Sequence, residues 1–348
     1  MKIGIIGNSN HLPFIAQAAY QLGIEISCFA SKPIPHQPFY IDNTVGRIKN
    51  ATKFNHFIES VDAVLFDNLS QFEINTQKRI SPDFSIASIS KSRLSIKELF
   101  QSLNIPHLPF VHAEKLEDLQ QLVSQSEVDL LAKPVLKHPF DINQTIKTAE
   151  GAQKVWDYYH TEPLLIENQI NFDYSVTLIG ANNKRGAVFY PLIYSVYSDH
   201  LLHTSISPFE NTELQEKAEA CAKEIFNHFN YQGLLTLRFG VKDDELYATG
   251  FSPYLQSSGY LTIEGATISQ FELQLRAMLN LHLPQPEMLK PTASINMINQ
   301  TPKETITQED VHYYRYYNDG PVRGHIALSR PSVEDIKTSI DGLSVYFG

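Results

Sequence analysis

Cysteine is scarce: Cys28 and Cys221 are the only two in 348 residues. Two thiols cannot build a disulfide framework, and neither stands in a metal-ligand spacing, so both read as buried free thiols. Long apolar runs are missing as well. No segment approaches the roughly 20 apolar residues that a membrane-spanning helix needs, which argues against a membrane protein. The opening MKIGIIGNSN reads as a short strand without a basic region, not as a signal peptide, and a cytoplasmic setting is expected. Basic charge is also in deficit, with 28 Lys and Arg against 38 Asp and Glu, a net charge of −10. That balance argues against broad binding to nucleic acid or an anionic membrane. It leaves room for a local basic pocket that holds one phosphorylated ligand. Internal repeats and low-complexity segments are absent.

What is present is ordinary globular composition, 43% hydrophobic and 19% charged, in a chain too long for one compact core. KIGIIG is a continuous apolar run, Pro13 to Leu22 carry a helical apolar pattern that stops at Gly23, and IEISCFA follows as a second strand. This βαβ start, with VDAVLF as a further buried parallel strand, predicts an open α/β domain over residues 1–90. From 91 the pattern changes to a helix (Ser95 to Leu103), the Pro-marked strand IPHLPFVHA, a polar helix and the strand DLLAKPV, a second region ending near 163. Residues 164–290 alternate strands (LLIENQI, YSVTLIGA, AVFYPLIY) with a helix from Glu213 to Phe229, the hairpin LRFGVKDDELYATGF and a helix from about Ser269 to Leu279. A small strand-rich tail, 291–348, ends in GHIALS and a last helix. The fold class is therefore multidomain, mixed α/β and α+β.

Each candidate site has a plain structural alternative. Gly4 and Gly7, followed by Asn8, Ser9 and Asn10, suit an anion at a helix N-terminus, but the dinucleotide glycine spacing is absent and Pro13 occupies the turn, which favours a structural role. Lys133 ends a buried strand and could meet a phosphate as a point charge, or simply be solvated. Glu167 sits where an apolar strand breaks into a polar link, the kind of place where a carboxylate can accept from a base, or lie on the surface. His200 and His203 lack a third ligand at metal spacing and read as loop residues. Asp243, Asp244 and Glu245 read as a solvated hairpin turn, and the segment HYYRYYND (312–319) as a packed strand.

Several segments together resemble one family. INFDYSVTLIGA, AVFYPL, GATISQFELQLRA, LHLPQP, PTASINMI and GH-I are similar to the 5-(carboxyamino)imidazole ribonucleotide synthetases, a purine-biosynthesis branch of the ATP-grasp superfamily, with the strongest match over 164–298. The resemblance implies an ATP-grasp architecture with an N-terminal open α/β domain, a central lid and a large C-terminal domain that clamp ATP. It further implies Mg²⁺-dependent activation of bicarbonate, carboxylation of aminoimidazole ribonucleotide and assembly as a homodimer.

Carried over position by position, Arg93 matches the arginine that reaches the nucleotide, Lys133 the phosphate lysine, and Glu167 the hinge glutamate of the adenine pocket, so binding of ATP or ADP is expected. The remaining positions depart from the pattern. Where the family has a glycine-rich lid loop, this chain has PVLKHPFDINQ, with no glycine. The ribose glutamate falls on Ser175, and the two metal glutamates fall on Arg238 and Gly250. The following polar loop has become SPYLQSSGY, with Tyr254, Gln256, Ser257 and Tyr260 at the matched positions. The basic pair for the ribonucleotide phosphate falls on Pro321 and Val322, with Arg323 adjacent. With Arg238 repelling Mg²⁺, no catalytic and no metal-binding residue is assigned, and a catalytically degenerate nucleotide-binding protein is the expectation. An active enzyme would need carboxylates from elsewhere, such as Glu264 or Glu272. A third reading has Arg238 itself pairing with phosphates without metal.

Overall fold

The computed structural model describes every residue except 35–40, 68–73, 138–142, 160–161, 199–200, 302–308, 317–319 and 344–348. Its N-terminal part is a parallel sheet of β1 (Lys2–Ile6), β2 (Glu25–Ala30), β3 (Ile41–Val45), β4 (Ala63–Phe66) and β5 (Arg79–Ser81), in the order β3-β2-β1-β4-β5. The helices are α1 (Leu12–Gln21), α2 (Ala51–Glu59) and α3 (Phe84–Ile89). The order reverses beside β1, as in a doubly wound sheet. Each central strand is buried on both faces, so KIGII and AVLF carry almost no polar residue.

A linking helix, α4 (Arg93–Ser102), leads into a four-stranded antiparallel sheet of β6 (Phe110–Ala113), β7 (Leu130–Pro134), β8 (Gln144–Ile146) and β9 (Leu164–Asn168), ordered β6-β9-β7-β8. Two helices, α5 (Leu116–Gln125) and α6 (Ala149–Tyr158), supply its core with Leu119, Ala152, Val155 and Trp156. Of the strand expected over IPHLPFVHA only the last four residues pair. Pro106 and Pro109 lack the N–H that a ladder needs.

The largest unit is a nine-stranded sheet. It contains β10 (Tyr174–Asn183), β11 (Gly186–Phe189), β12 (Ile193–Ser198), β13 (Leu201–Ser207), β14 (Gly233–Lys242), β15 (Glu245–Ser252), β16 (Thr292–Ile298), β17 (Val311–Arg315) and β18 (Val322–Ser329). The helices of this part are α7 (Thr212–Phe229), α8 (Thr262–Gly265), α9 (Gln270–Met278) and α10 (Val333–Leu343). AVFYPLIY is not one strand: β11 and β12 lie along the same edge of β10, separated at Tyr190–Leu192, because Pro191 cannot donate to the ladder. The strands of the expected tail extend the large sheet, with β16 pairing with β13. Among the described residues no helix is long and apolar enough to cross a membrane. Cys28 and Cys221 are buried free thiols, and burial pushes the first up to about 12 and the second to about 11.

Candidate functional site

Glu167 is the centre of the site. It lies on β9 opposite Leu131, and Lys133, two residues along β7, shares that face, so the register alone brings the lysine diagonally onto the carboxylate. Lys133 is ion-paired with Glu167 Oε2. From the other side Lys97 Nζ reaches Oε1 at 2.5 Å. Both Glu167 and Lys97 are only 3% exposed. Burial alone would raise the Glu167 carboxyl, yet Lys133 and Lys97 outweigh it and hold the group below the usual carboxylate range. Burial lowers Lys97, only partly offset by Glu167, with Lys133 depressing it further. The pair is costly to desolvate and survives because one carboxylate serves two ammonium groups. A pocket of about 410 Å³ is lined among others by Phe110, Leu122, Val128, Ile166, Glu167 and Asn168, while Arg93, Lys97 and Lys133 are not part of its lining. That volume suits a small-molecule ligand.

Arg93 is the first residue of α4 because Ser92 caps the helix, its Oγ accepting from Ser95 N at 3.1 Å. One turn on, Lys97 shares the arginine's side of the helix. The Arg93 backbone N–H donates to Val135 O at 2.7 Å, and Lys137 N–H to Lys91 O at 3.0 Å. These bonds staple the start of α4 to the chain leaving β7. The guanidinium is fixed there too, with Nη1 donating to Pro134 O at 2.9 Å and Leu136 O at 3.2 Å.

Arg238 lies on β14 between Thr177 of β10 and Gly250 of β15. Its Nη2 stands 2.9 Å from where a Cβ on Gly250 would be. The two matched metal positions are thus direct cross-strand partners, and the guanidinium of one covers the bare backbone of the other. Ser175, two residues from Thr177, falls on the same sheet face. Mg²⁺ requires oxygen ligands, and a guanidinium over a glycine offers none, so these two positions do not suit the ion. Among the described residues no group of three or more His, Cys, Asp or Glu could hold a metal. Glu264 accepts from the Tyr314 hydroxyl and Glu272 pairs with Arg276 Nε at 2.6 Å, so both acids are engaged elsewhere.

A family model of the ATP-grasp domain matches residues 98–271. The chain belongs to the ATP-grasp family. Within that family it is similar to N5-carboxyaminoimidazole ribonucleotide synthase of Escherichia coli (strain K12), 29% identical over 262 residues that make up 73% of each chain. The crystal structure of N5-carboxyaminoimidazole ribonucleotide synthetase from Thermus thermophilus superposes with a TM-score of 0.90 at 27% identity, covering 99% of this chain and 98% of that one. The carboxyaminoimidazole ribonucleotide synthase of Aspergillus clavatus complexed with ATP shares the fold, with a TM-score of 0.89 at 19% identity, covering 99% and 97%.

Against this ATP-grasp frame, Arg93, Lys133 and Glu167 come together as one neighbourhood. Lys97 was not singled out from the sequence, although its place among Ile96, Leu99 and Phe100 on an amphipathic helix marks it as a buried lysine. Lys137 was seen there only as part of a stretch without glycine. Arg323 is placed elsewhere, exposed on β18. The first turn is closed by protein rather than built for an anion: Ser9 N and Oγ both donate to the buried Asp67 carboxylate at 2.7 Å. At the hairpin tip Asp243 and Asp244 adopt positive φ, as a two-residue turn requires, and Glu245 pairs with Lys217. His203 Nδ1 contacts Thr204 Oγ1 at 2.7 Å, while His200 lies outside the described residues. Of the segment 312–319, residues 317–319 lie outside the described residues; in the rest the tyrosines pack while His312 and Arg315 are exposed, and His325, fully buried, is stacked between Tyr260 and Tyr314 with ring centroids 4.3 and 4.6 Å away. Burial, reinforced by His11, lowers His325 to about 3, so it is neutral.

Proposed function

We propose that this chain is a nucleotide-binding ATP-grasp protein of the 5-(carboxyamino)imidazole ribonucleotide synthetase kind that has lost metal-dependent carboxylation and acts as a binding, regulatory or scaffolding protein. The observation that carries this reading is the Arg238–Gly250 pair, a cation over a bare backbone where the resemblance calls for two metal carboxylates. Several kcal/mol of transition-state stabilisation, on the order of what one metal supplies, would be missing. The nucleotide part rests on the neighbourhood of Arg93, Lys97, Lys133 and Glu167, and on relatives named carboxyaminoimidazole ribonucleotide synthase, one of them complexed with ATP. Such a chain would sit in the cytoplasm as a homodimer, which light scattering on purified protein would check.

The decisive assay is phosphate release from ATP with Mg²⁺, bicarbonate and aminoimidazole ribonucleotide. No release above background is expected, while ADP raises the melting temperature. Turnover that EDTA abolishes would overturn the loss of catalysis; loss of that turnover in Glu264→Gln or Glu272→Gln would then identify relocated acids.

A further inference from the structure

The four-stranded sheet has two faces, and the cations around Glu167 occupy one of them. Side chains alternate along β9, so Glu167 faces Lys133, while Ile166 turns the other way and joins Leu119 of α5 in the core of that layer. The pocket of about 410 Å³ lies on this helix side, between the C-terminal end of α5, with Leu122 and Gln125, and the strands β6 and β9, with Val111 and Ile166. Among the described residues β6 ends the strand order β6-β9-β7-β8. Val111 on it is 43% exposed and Ala113 fully buried, so the open part of the edge is the end beside the pocket. Val128, 51% exposed, lines the same pocket.

We infer that the groove between β6 and α5 is a docking site for an extended peptide of a partner protein, which adds a strand to β6, seats an apolar side chain in the pocket and carries Lys or Arg beside it. The inference goes beyond the nucleotide reading and does not depend on it, because it concerns the other face of the sheet. A groove between an edge strand and a helix is the geometry of strand addition, in which main-chain bonds give affinity and a pocket for alternate side chains selects sequence. A strand laid along β6 puts every second side chain on the face that Val111 shares with Ile166, which is the face of the pocket. Free edges are commonly guarded by a charged side chain, whereas β6 exposes a valine.

The charge of the groove sets the sign of the partner. Glu127 lines the pocket, and α5 ends there with its carbonyl pole and no basic residue in its last turn. Both favour a cation at that mouth. Glu114, Glu117 and Asp118 stand at the other end of the same helix, and Lys115 is the only Lys or Arg between residues 107 and 129. Lys115 reaches Asp118 at 3.9 Å and Lys147 reaches Asp129 at 2.9 Å, which still leaves this stretch net acidic. Val111 and Val128 supply the apolar contact that a purely ionic ligand would not use.

The test is fluorescence anisotropy of the full chain with labelled, amidated pentapeptides that carry Lys at both ends, Thr at the second and fourth places and Phe, Leu or Trp at the centre. At least one is expected to bind in the micromolar range, and backbone N-methylation, or Glu in place of both Lys, should weaken it about tenfold. Bound peptide should slow amide exchange over residues 109–113. Val111→Lys and Glu127→Lys, both at exposed positions, should each weaken the peptide about tenfold and leave the ADP-induced melting shift as in the parent. Melting curves of the free variants report folding. No binding by any of the peptides at millimolar concentration, or protection only elsewhere in the chain, would overturn the site. N-acetyl-phenylalanine amide binding as tightly as the peptide would make this a small-molecule pocket, and a dimer that Val111→Lys splits in light scattering would give the groove to a second copy; either result removes the peptide. A changed ADP response in Val111→Lys would place the pocket in the nucleotide cleft and overturn the proposal too. Absence of any ADP shift in the parent would count against the nucleotide reading alone.

Discussion

The surroundings of Glu167 and of Arg238 both carry cations, but they balance their charge differently. Around Glu167 the protein supplies its own counter-ion: two lysines share one buried carboxylate, and that neighbourhood is closed in that each ammonium has a partner, although a net positive charge remains. Around Arg238 no carboxylate partner stands among the described residues, and the two matched positions hold the guanidinium itself and a glycine. Breaking a buried cluster by removing one partner is strongly destabilising, whereas like charges without a counter-ion repel one another.

Removing the closed cluster's only acid should have the largest effect. Glu167→Gln leaves Lys97 buried without a counter-charge and should cost about 3–5 kcal/mol, read by urea denaturation. A change below about 1 kcal/mol would show that the cluster is not closed by Glu167.

Next, the open cluster can be rebuilt as a metal site. Arg238→Glu combined with Gly250→Glu should make stabilisation by ADP depend on Mg²⁺, with an affinity difference of about tenfold or more between Mg²⁺ and EDTA. Equal binding in both conditions would mean that the two positions do not face the ligand.

A smaller effect of opposite sign is expected from Lys137→Met. It relieves like-charge crowding against Arg93 and Arg238 and should raise stability at neutral pH by on the order of 1 kcal/mol. The pH dependence has a defined sign. Because the folded-state pKa of Lys137 is lowered, the unfolded chain binds more protons between that value and the ordinary lysine pKa of about 10.4, so stability rises with pH through that window. Lys97, also lowered, adds to the same rise. Lys137→Met should flatten it by one group's share. Glu167 behaves in the complementary way, since its lowered pKa gives stability that is present above about pH 4.3 and is lost as pH falls through the folded value. Glu167→Gln should blunt that acid limb.

The smallest effect belongs outside both clusters. Asp173, which pairs with Lys242 at the hairpin tip, is exposed, so Asp173→Asn should leave melting temperature and ADP binding unchanged. A loss of binding would bring the tip acids into the cleft.

Much of the fold was legible in the residues. The apolar runs of β1, β2 and β4 announced a parallel sheet buried on both faces, and the amphipathic helices fell close to where their periodicity put them. The site was legible only in part. Lys133 and Glu167 could be named one at a time, but that they meet follows from the pairing of β7 with β9 across more than thirty intervening residues. Lys137 offered no local signal, since a lysine after a strand looks solvated until Arg93 and Arg238 are placed around it.

The hairpin of β14 and β15 divides the two kinds of information. Its existence was fixed locally: two strand-forming segments flank an Asp–Asp turn whose residues tolerate positive φ. Counting back from that turn would pair Arg238 with Thr249 and turn Gly250 to the opposite face. A β-bulge beside Arg238 shifts the register by one residue, and Arg238 comes to lie against Gly250. Side chains alternate with period two, so a one-residue slip decides which face a group occupies. The residue types at 238 and 250 were determined by sequence alone. That the guanidinium covers the glycine was decided only by the folded sheet, because only the bulged ladder puts both on one face.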